Sequence, residues 1–595
     1  MAMKSAFIHF WHFGIAVGLL ACLSQSVAAQ APAFTQATVC GTAVGSGSFA
    51  LATALTADAQ GNTFLTGYFN GTVRFGSITL TGSYSAFVAK RDVAGNWLWA
   101  VSGVGATCSA IALDAQGQVY VTGLLGGGAL NVPTTYTFGT ITLTTAGGTD
   151  VLVAKLDAVT GTWLWAQRAG FGTAFAGANR ATAIALDGTG GAYVAGTFDG
   201  PIIRIGSTTL YNAGNSTSTL RKDIFLAHLN AATGAWDWAQ GAGDAQNDDT
   251  VTGLATDPQG NAYLTGLFGF GISFPPFQLS NATGACYLAK INALGMWQWA
   301  QNVVGTQGTG TFAGTGGTYC NGLAADGLGH LYVCGGFAGA TAPFGGTTLT
   351  NASATYQGQG APGSVQMSDA FVARLNANTG AWQWATRAGG PDAESLTQIM
   401  VRGGRVYTSG VFGRTPAQGP PSPSGSGFGA TSVVSTGKTD LVVAGLDTAG
   451  TWQWAVRAGS LEEDAVTGLF ADAGNRLHLL GTFAGATAQF GSLSVAANAT
   501  GYTVFIAQLA SGPLSSALSG ATSAFALYPN PARSAVTVAG LPANQPLSVF
   551  DAVGRLVVRA RMPVNGPLLL LLPAQLPAGV YVVHSAGQVR RLLIE

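Results

Sequence analysis

Trp452-Gln-Trp-Ala455 is one of six Trp-x-Trp-Ala units in this chain of 595 residues, and these units decide the fold. They recur every 61 to 85 residues, and every tryptophan after Trp11 belongs to one of them. The six pairs are Trp97 and Trp99, Trp163 and Trp165, Trp236 and Trp238, Trp297 and Trp299, Trp382 and Trp384, and Trp452 and Trp454. Self-similarity at such a period indicates a repeat protein, in which each repeat is one supersecondary unit.

Three further motifs accompany each tryptophan pair. The first is an Asp turn followed by a Tyr-Leu-Thr-Gly-like segment, as in Asp58-Ala-Gln-Gly-Asn-Thr-Phe-Leu-Thr-Gly67. The others are a Phe-Gly turn, as in Phe75-Gly-Ser-Ile-Thr-Leu80, and a Phe-Val-Ala-Lys segment, as in Phe87-Val-Ala-Lys90. Asp and Gly favour tight turns, and short alternating apolar runs are typical of strands. Each repeat therefore predicts a sheet of four strands, with Trp-x-Trp-Ala as the fourth.

The spacing within each tryptophan pair predicts how the sheets pack. Side chains two residues apart on a regular strand share a face. We therefore expect both indoles of a pair to lie against the same neighbouring sheet. Each indole would bury roughly 150–250 Å², so the twelve tryptophans are predicted to dominate the packing between sheets.

The start of the mature chain supplies a strand that the repeats lack. Seven copies of the first three strands are present, but only six Trp-x-Trp strands. Phe34-Thr-Gln-Ala37 aligns with Trp452-Gln-Trp-Ala455 and is predicted to form the fourth strand of the last sheet. Closure of this kind protects sheet edges, whereas an open solenoid would need capping repeats. The sequence thus predicts an all-β seven-bladed β-propeller with four-stranded blades.

Composition and the N-terminus indicate export. Charged residues make up 8% of the chain and the formal net charge is zero, which argues against nucleic acid as a partner. Residues 1–29 match a signal peptide, with Lys4, an apolar run over residues 13–22, and small residues at Val27-Ala-Ala29. That run is shorter than a membrane span, so no transmembrane segment is expected in the mature chain. An alternative interpretation makes Leu19-Leu-Ala-Cys22 a lipoprotein box.

The repeat motifs resemble the bacterial β-propeller repeats of the SBBP type, over about residues 31–510. The resemblance implies a propeller domain over residues 30–510. It implies little about activity, since propellers carry many unrelated functions.

A second resemblance covers the C-terminal segment, residues 525–595, which follows a Ser-, Gly- and Ala-rich linker predicted at residues 511–524. This segment is similar to the type A C-terminal sorting domain of type IX secretion. The motif residues are Tyr528, Pro529, Asn530, Pro531, Gly554, Gly579 and Tyr581. The resemblance implies a small Ig-like β-sandwich that binds the type IX outer-membrane translocon. It also implies secretion or display on the cell surface of a Gram-negative bacterium; a generic sandwich with another ligand is the alternative.

One position in the repeat suggests a ligand site. Eight residues before the repeat Asp, four of the seven copies carry Asn179, Asp249, Glu394 and Asp464. If strand 1 is innermost, these side chains surround the channel mouth on the face with the long loops. They would bind a polar ligand such as a glycan, or calcium through Asp249, Glu394 and Asp464, because calcium prefers oxygen ligands. The alternative is solvated carboxylates that cap strand ends.

Other chemistry is sparse in the sequence. No catalytic residue and no cofactor besides calcium is predicted, because the histidines lie far apart and no zinc motif occurs. Cys320 and Cys334 flank a predicted hairpin, where they form either a disulfide or two buried thiols.

We expect a monomeric binding or scaffold module that contacts a glycan or a surface protein. A polysaccharide lyase or glycosidase acting through loop carboxylates is one alternative, and a purely structural surface protein is another. Long, variable loops predict that any ligand binds on the face where strands 2–3 and 4–1 are joined.

Overall fold

The chain divides into two compact units, Met1–Gly512 and Pro513–Glu595. The structure, a computed structural model, describes residues 31–128, 134–145, 148–171, 178–214, 221–281, 285–306, 317–352, 355–357, 364–366, 368–413, 425–498, 501–510, 526–539, 541, 543–551, 556–564, 566–573, 576–585 and 588–594. The predicted signal peptide and linker lie outside these residues. Within them every regular element is a β-strand, and we find no helix suited to crossing a membrane.

The first unit begins with a single strand and continues with the strands of six blades. The first strand is β1 (Phe34–Val39). Blade 1 contains β2 (Thr42–Ala57), β3 (Thr63–Phe75), β4 (Ile78–Arg91) and β5 (Trp97–Gly103). Blade 2 contains β6 (Ala106–Leu113), β7 (Val119–Gly128), the hairpin β8 (Thr134–Phe138) and β9 (Ile141–Thr145), β10 (Gly148–Leu156) and β11 (Trp163–Ala169). Blade 3 contains β12 (Arg180–Leu186), β13 (Gly191–Phe198), the hairpin β14 (Ile202–Ile205) and β15 (Thr208–Tyr211), β16 (Asp223–Asn230) and β17 (Trp236–Ala242).

The next three blades follow the same order. Blade 4 contains β18 (Gly253–Thr256), β19 (Ala262–Phe268), the hairpin β20 (Gly271–Phe274) and β21 (Phe277–Ser280), β22 (Ala285–Ile291) and β23 (Trp297–Val303). Blade 5 contains β24 (Thr318–Ala325), β25 (His330–Phe337), the hairpins β26 (Thr341–Phe344) with β27 (Thr347–Thr350) and β28 (Thr355–Gln357) with β29 (Ser364–Gln366), β30 (Asp369–Asn376) and β31 (Trp382–Ala388). Blade 6 contains β32 (Ala393–Arg402), β33 (Arg405–Gly413), the hairpin β34 (Ser426–Phe428) and β35 (Thr431–Val433), β36 (Thr439–Asp447) and β37 (Trp452–Gly459).

The last blade is completed from the start of the described chain. It contains β38 (Asp464–Ala471), β39 (Leu477–Phe483), the hairpin β40 (Thr487–Phe490) and β41 (Leu493–Ala496), and β42 (Thr503–Leu509). Its sheet order is β1-β42-β39-β38, so β1 is the outer strand. The described residues of the first unit thus form seven antiparallel sheets with a core of four strands, and the sixth is extended by the hairpin of blade 7.

The first strands of the seven sheets form a closed circle. Each of β2, β6, β12, β18, β24, β32 and β38 contacts the next, and β38 contacts β2. Side chains on these strands also bond across the junctions: the hydroxyl of Thr53 donates to the carbonyl of Cys108 in blade 2 (2.8 Å), and that of Thr252 to the carbonyl of Cys320 in blade 5 (2.6 Å). The predicted all-β propeller is confirmed.

The predicted role of the N-terminal strand is also confirmed. Phe34 lies opposite Leu509 in β42, the place that Trp452 occupies opposite Leu446 in blade 6. The ring of Phe34 packs edge-on against Phe490 of the Phe-Gly hairpin, with centroids 5.5 Å apart. In five other blades the first tryptophan makes this contact, as Trp452 does with Phe428 at 5.1 Å. Phe34 therefore replaces a tryptophan in both pairing and packing.

The prediction that both tryptophans of a pair share one face is wrong. Trp163 packs into the core between blades 1 and 2, whereas Trp165 packs with the residues between blades 2 and 3. A β-bulge causes this difference, because the register shifts by one residue where strand 4 begins and interrupts the alternation of side chains. The same shift occurs in all six Trp-x-Trp strands. Each pair therefore holds its blade to both neighbours.

The structure pairs Cys320 with Cys286 and leaves Cys334 as a buried thiol, so neither of the two alternatives, a Cys320–Cys334 disulfide or two free thiols, holds for Cys320. The disulfide joins β22 of blade 4 to β24 of blade 5, with Cα atoms 5.7 Å apart. Cys320 faces the core between blades 4 and 5, whereas Cys334 faces the core between blades 5 and 6. Neighbouring strands in one sheet carry these two cysteines, but their side chains point to opposite faces.

The second unit is a small all-β unit with one core. Its strands are β43 (Ala526–Tyr528), β44 (Ala535–Ala539), β45 (Pro546–Phe550), β46 (Leu556–Arg561), β47 (Leu568–Leu571), β48 (Gly579–Ser585) and β49 (Gln588–Ile594). They form two sheets, β43-β44-β47 and β46-β45-β48-β49. Val536 and Leu570 of the first sheet share a buried cluster with Val549 and Val583 of the second. An Ig-like topology stays a prediction.

Candidate functional site

An open pocket of about 370 Å³ lies where the first and last blades meet. Four aromatic side chains line it: Phe49, Tyr68 and Tyr84 from blade 1, and Tyr502 from blade 7. Tyr84 is 60% exposed and Tyr502 is 55% exposed, although large aromatic side chains usually bury most of their surface. Exposed aromatic faces around a concave surface of this size are typical of a small-molecule site.

The strands of blade 1 hold the aromatic side chains in place. Phe49 follows a β-bulge in β2 and packs edge-on against Tyr68 and Tyr84, with centroids 6.2 and 5.9 Å apart. Tyr84 has a φ of 42°, a left-handed conformation that residues other than glycine seldom adopt. Its backbone N–H donates to Oδ1 of Asn70 on the neighbouring strand (3.4 Å). Contacts from two directions thus fix this tyrosine with its ring turned outward.

Polar groups accompany the aromatic rings. Ser48 and Asn498 line the pocket, and Oδ1 of Asn498 accepts a hydrogen bond from the hydroxyl of Thr503 (3.3 Å). The hydroxyl of Tyr502 lies 3.4 Å from Oε2 of Glu463. Asn498 and Tyr502 lie between β41 and β42, on the 2–3 side of blade 7, so the pocket lies on the face of the predicted long loops. Apolar ring faces beside amide, hydroxyl and carboxylate groups suit a ligand that is itself both apolar and polar.

The four residues predicted from the repeat do not line an open channel mouth. Asn179, Asp249, Glu394 and Asp464 are at most 4% exposed, which corrects that expectation and the alternative of solvated carboxylates. They lie at four separate blade junctions. The backbone N–H of Asp249, for example, donates to the carbonyl of Lys222 (2.7 Å), so it is held against the preceding blade. They therefore do not converge on one ligand, and their predicted binding role stays a prediction.

Sequence reasoning missed the partners of these four residues. At each junction, strand 3 of the preceding blade begins with a buried aspartate, namely Asp150, Asp223, Asp369 and Asp440. In three blades an arginine on strand 4 pairs with this aspartate: Arg168 with Asp150 (2.6 Å), Arg387 with Asp369 (2.5 Å) and Arg457 with Asp440 (2.7 Å). Both residues recur at fixed positions in the repeat, and that recurrence was the available signal.

Burial changes the acidity of these carboxyl groups. Burial raises the pKa of Asp464 to about 7, although hydrogen bonds from Ser460 oppose the shift. Burial likewise raises the pKa of Asp223 to about 7, and burial together with the charges of Asp244 and Asp223 raises the pKa of Asp249 to about 9. The pKa values of these three carboxyl groups thus lie well above the ordinary aspartate value near 4.

In the described part of the chain, no group of three or more histidine, cysteine, aspartate or glutamate side chains is arranged to hold a metal ion. The three predicted calcium ligands Asp249, Glu394 and Asp464 accordingly do not form one site.

In the second unit, the Tyr-Pro-Asn-Pro motif contacts the last strand. Oδ1 of Asn530 accepts a hydrogen bond from the backbone N–H of Leu593 (2.8 Å), and Ala532 forms a parallel bridge with Ile594. The hydroxyl of Tyr581 donates to the carbonyl of Pro577 (2.8 Å). Gly554 lies outside the described residues. Asn530 therefore connects the start of the segment to its last strand.

Residues 526–593 match the family described as the secretion system C-terminal sorting domain. The chain carries a secretion sorting domain. This domain implies an interaction with the type IX machinery and a secreted or cell-surface location. Residues 237–267, which span the end of blade 3 and the first half of blade 4, match the SBBP β-propeller repeat.

Two solved structures are among those similar to this chain. The Dos1 propeller is 9% identical, with a TM-score of 0.37, over 80% of this chain and 96% of that one. A quinohemoprotein alcohol dehydrogenase from Comamonas testosteroni is 10% identical, with a TM-score of 0.37, over 80% of this chain and 76% of that one. No curated protein matches the chain.

Proposed function

We propose that this exported propeller is a glycan-binding module and that the aromatic pocket between blades 1 and 7 is its site. The observation that carries the proposal is the outward exposure of Tyr84 and Tyr502 beside Phe49 and Tyr68. A pyranose ring has an apolar C–H face that stacks on aromatic rings and an edge of hydroxyl groups that hydrogen-bond to polar side chains. Asn498, Ser48 and Glu463 would supply those polar partners.

The conformation of Tyr84 supports this function. A tyrosine with a positive φ costs free energy that a purely structural position would avoid, and such residues often occur at binding sites. The pocket also lies on the variable-loop face of a rigid scaffold, where propellers and other folds commonly bind ligands. Export to the cell exterior would place the pocket where polysaccharides and glycoproteins are available.

A glycan array probed with the full chain tests the proposal, followed by calorimetric titration of the best ligand. Replacing Tyr84 or Tyr502 by Ala should weaken binding about tenfold each, the equivalent of about 1.4 kcal/mol for one stacking ring. Tyr211→Ala is the matched control, because Tyr211 is 78% exposed on blade 3, away from the pocket. Equal binding by all three variants would place the ligand elsewhere.

The same incubation separates binding from catalysis. Retention of the glycan without new reducing ends or unsaturated products is the expected result. Product formation would instead support the alternative of a polysaccharide lyase or glycosidase. No retention of any glycan would favour a protein ligand or a purely structural role.

A further inference from the structure

Blade 3 departs from a charge pattern that blades 2, 5 and 6 share. Every other blade with a buried aspartate at the start of strand 3 carries an arginine that neutralises it from strand 4. In blade 3 the aspartate is present as Asp223, but Gly241 occupies the arginine position. Gly241 lies opposite Phe225, just as Arg168 lies opposite Leu152 in blade 2.

The junction between blades 3 and 4 therefore holds two carboxyl groups for which the described residues supply no ion pair. Asp223 is 3% exposed and Asp249 is 0% exposed. Oδ2 of Asp223 accepts a hydrogen bond from the backbone N–H of Ala213 (2.6 Å). Within the described residues, Oδ1 of Asp223 has no hydrogen-bond partner, and the carboxylate of Asp249 has no side-chain partner and lies near the backbone N–H of Asp244. Buried carboxylate oxygens are normally satisfied by hydrogen bonds, ion pairs or metal ions, so the open oxygens at this junction indicate a missing ligand.

Nearby charged groups do not neutralise this pair. The amine of Lys222 lies 3.6 Å from Oδ2 of Asp248 at the surface, where both side chains are 45% exposed. Asp244 adds further negative charge, and its Oδ1 already accepts hydrogen bonds from the backbone N–H groups of Gln246 and Asn247. Asp244 and Asp248 thus add negative charge beside the pair, and the amine of Lys222 is paired with Asp248.

We propose that Asp223 and Asp249 bind a calcium ion, which takes the place of the arginine found in blades 2, 5 and 6. Calcium accepts oxygen ligands in irregular geometry, so two carboxylates can be completed by backbone carbonyl groups and water. Magnesium demands near-ideal octahedral geometry and gives up its water reluctantly, which makes it a poor fit for a pair fixed by two different blades. The proposal is independent of the glycan pocket.

Thermal unfolding of the full chain tests this site. After treatment with EDTA, millimolar CaCl2 at pH 7.5 should raise the Tm by about 2–5 °C, because an ion bound only by the folded state stabilises it. The same concentration of MgCl2 should raise it less. Isothermal titration with CaCl2 should show one ion per chain.

Two variants make the test specific. Gly241→Arg introduces the arginine that blades 2, 5 and 6 carry at this position. The Cβ position at residue 241 is at least 3.8 Å from other atoms, so this side chain can be accommodated. It should raise the Tm in EDTA and remove the response to calcium. Asp249→Asn should also remove the response, whereas Asp464→Asn, at another junction, should keep it.

Three outcomes would overturn the proposal. In the first, the natural chain shows no calcium response although Gly241→Arg raises the Tm, and the pair is then neutralised by protons alone. In the second, Asp249→Asn keeps the full calcium response, and the ion then binds elsewhere. In the third, Gly241→Arg keeps the full rise in Tm on adding calcium, which means that the arginine side chain and the calcium ion do not occupy the same site.

Discussion

The hydroxyl of Thr467 lies 3.2 Å from the carbonyl oxygen of Ala52 and donates a hydrogen bond to it, although the two residues are 415 positions apart in the chain. This bond joins the innermost strand of the last blade to that of the first. Thr53 makes the equivalent bond to Cys108 between blades 1 and 2. The junction between the ends of the repeat array is therefore built like the junctions within it.

Phe34 is predicted to be the most sensitive position of the N-terminal strand. Phe34→Ala should lower the free energy of unfolding by about 3–5 kcal/mol, because it removes a buried ring that packs on Phe490. Phe34→Trp should be tolerated, since tryptophan occupies this place in the other blades. Urea unfolding followed by circular dichroism measures the free energy of unfolding of both variants. An equal loss of stability in the two would argue against the equivalence of Phe34 and the tryptophans.

Trp99 should matter far more than its neighbour Leu98. The indole N–H of Trp99 donates to the carbonyl of Ala158 in blade 2 (3.2 Å), and its ring is buried. Trp99→Ala should cost about 3–5 kcal/mol, whereas Leu98→Ala, at a side chain that is 50% exposed, should stay within about 0.5 kcal/mol. Calorimetry of the two variants measures this difference in stability. Similar losses of stability would contradict the assignment of Trp99 to a buried face and Leu98 to an exposed one.

The disulfide between blades 4 and 5 should contribute measurably to stability. For a sequence separation of 34, loss of the bond in Cys286→Ala should cost about 3–4 kcal/mol by the chain-entropy argument. Cys334→Ala serves as the control, because Cys334 is a buried free thiol and its removal only trims the core. Peptide mapping without reduction should recover Cys286 linked to Cys320; a peptide linking Cys320 to Cys334 would refute this pairing.

Asp464 should make stability depend on pH. Its folded-state pKa of about 7 lies above the ordinary aspartate value of about 3.9, so the folded protein binds this proton more tightly than the unfolded chain does. The resulting stabilisation is complete below about pH 4 and is lost as the pH rises through about 7. Asp464→Asn should therefore show a flatter fall in Tm between pH 5 and 8. At pH 8 we expect it to melt about 2–4 °C above the natural chain; parallel curves would contradict the assignment.

Much of the fold could be predicted because the repeat is regular. The alignment of Phe34 with Trp452 was enough to place β1 beside β42, since pairing within a blade follows the same register each time. The faces of Trp163 and Trp165 could not be predicted from their spacing of two residues. A β-bulge depends on how two strands pair, and the sequence of one strand alone does not reveal it.

The candidate sites were harder to predict for a different reason. Tyr84 and Tyr502 belong to no repeat motif and lie in the first and last blades, so only closure of the circle brings them together. Asp249 was recognised as an unusual position, but its partner Asp223 was not, because the two come from different blades. The exposure of Asp249 was also misjudged, because a residue shortly before a strand is commonly solvated, whereas this side chain is 0% exposed.

The pairing of the N-terminal strand with β42 also determines when the propeller can finish folding. Thr35 contacts Gln508, and 473 positions separate them in the sequence. At a synthesis rate of roughly 5–20 residues per second, β1 waits roughly 25–95 seconds for its partner strand to be made. Until β42 has been made, β1 has no partner strand, and blade 7 cannot be completed. The circle of blades can therefore close only after β42, the last strand of the propeller, has been made.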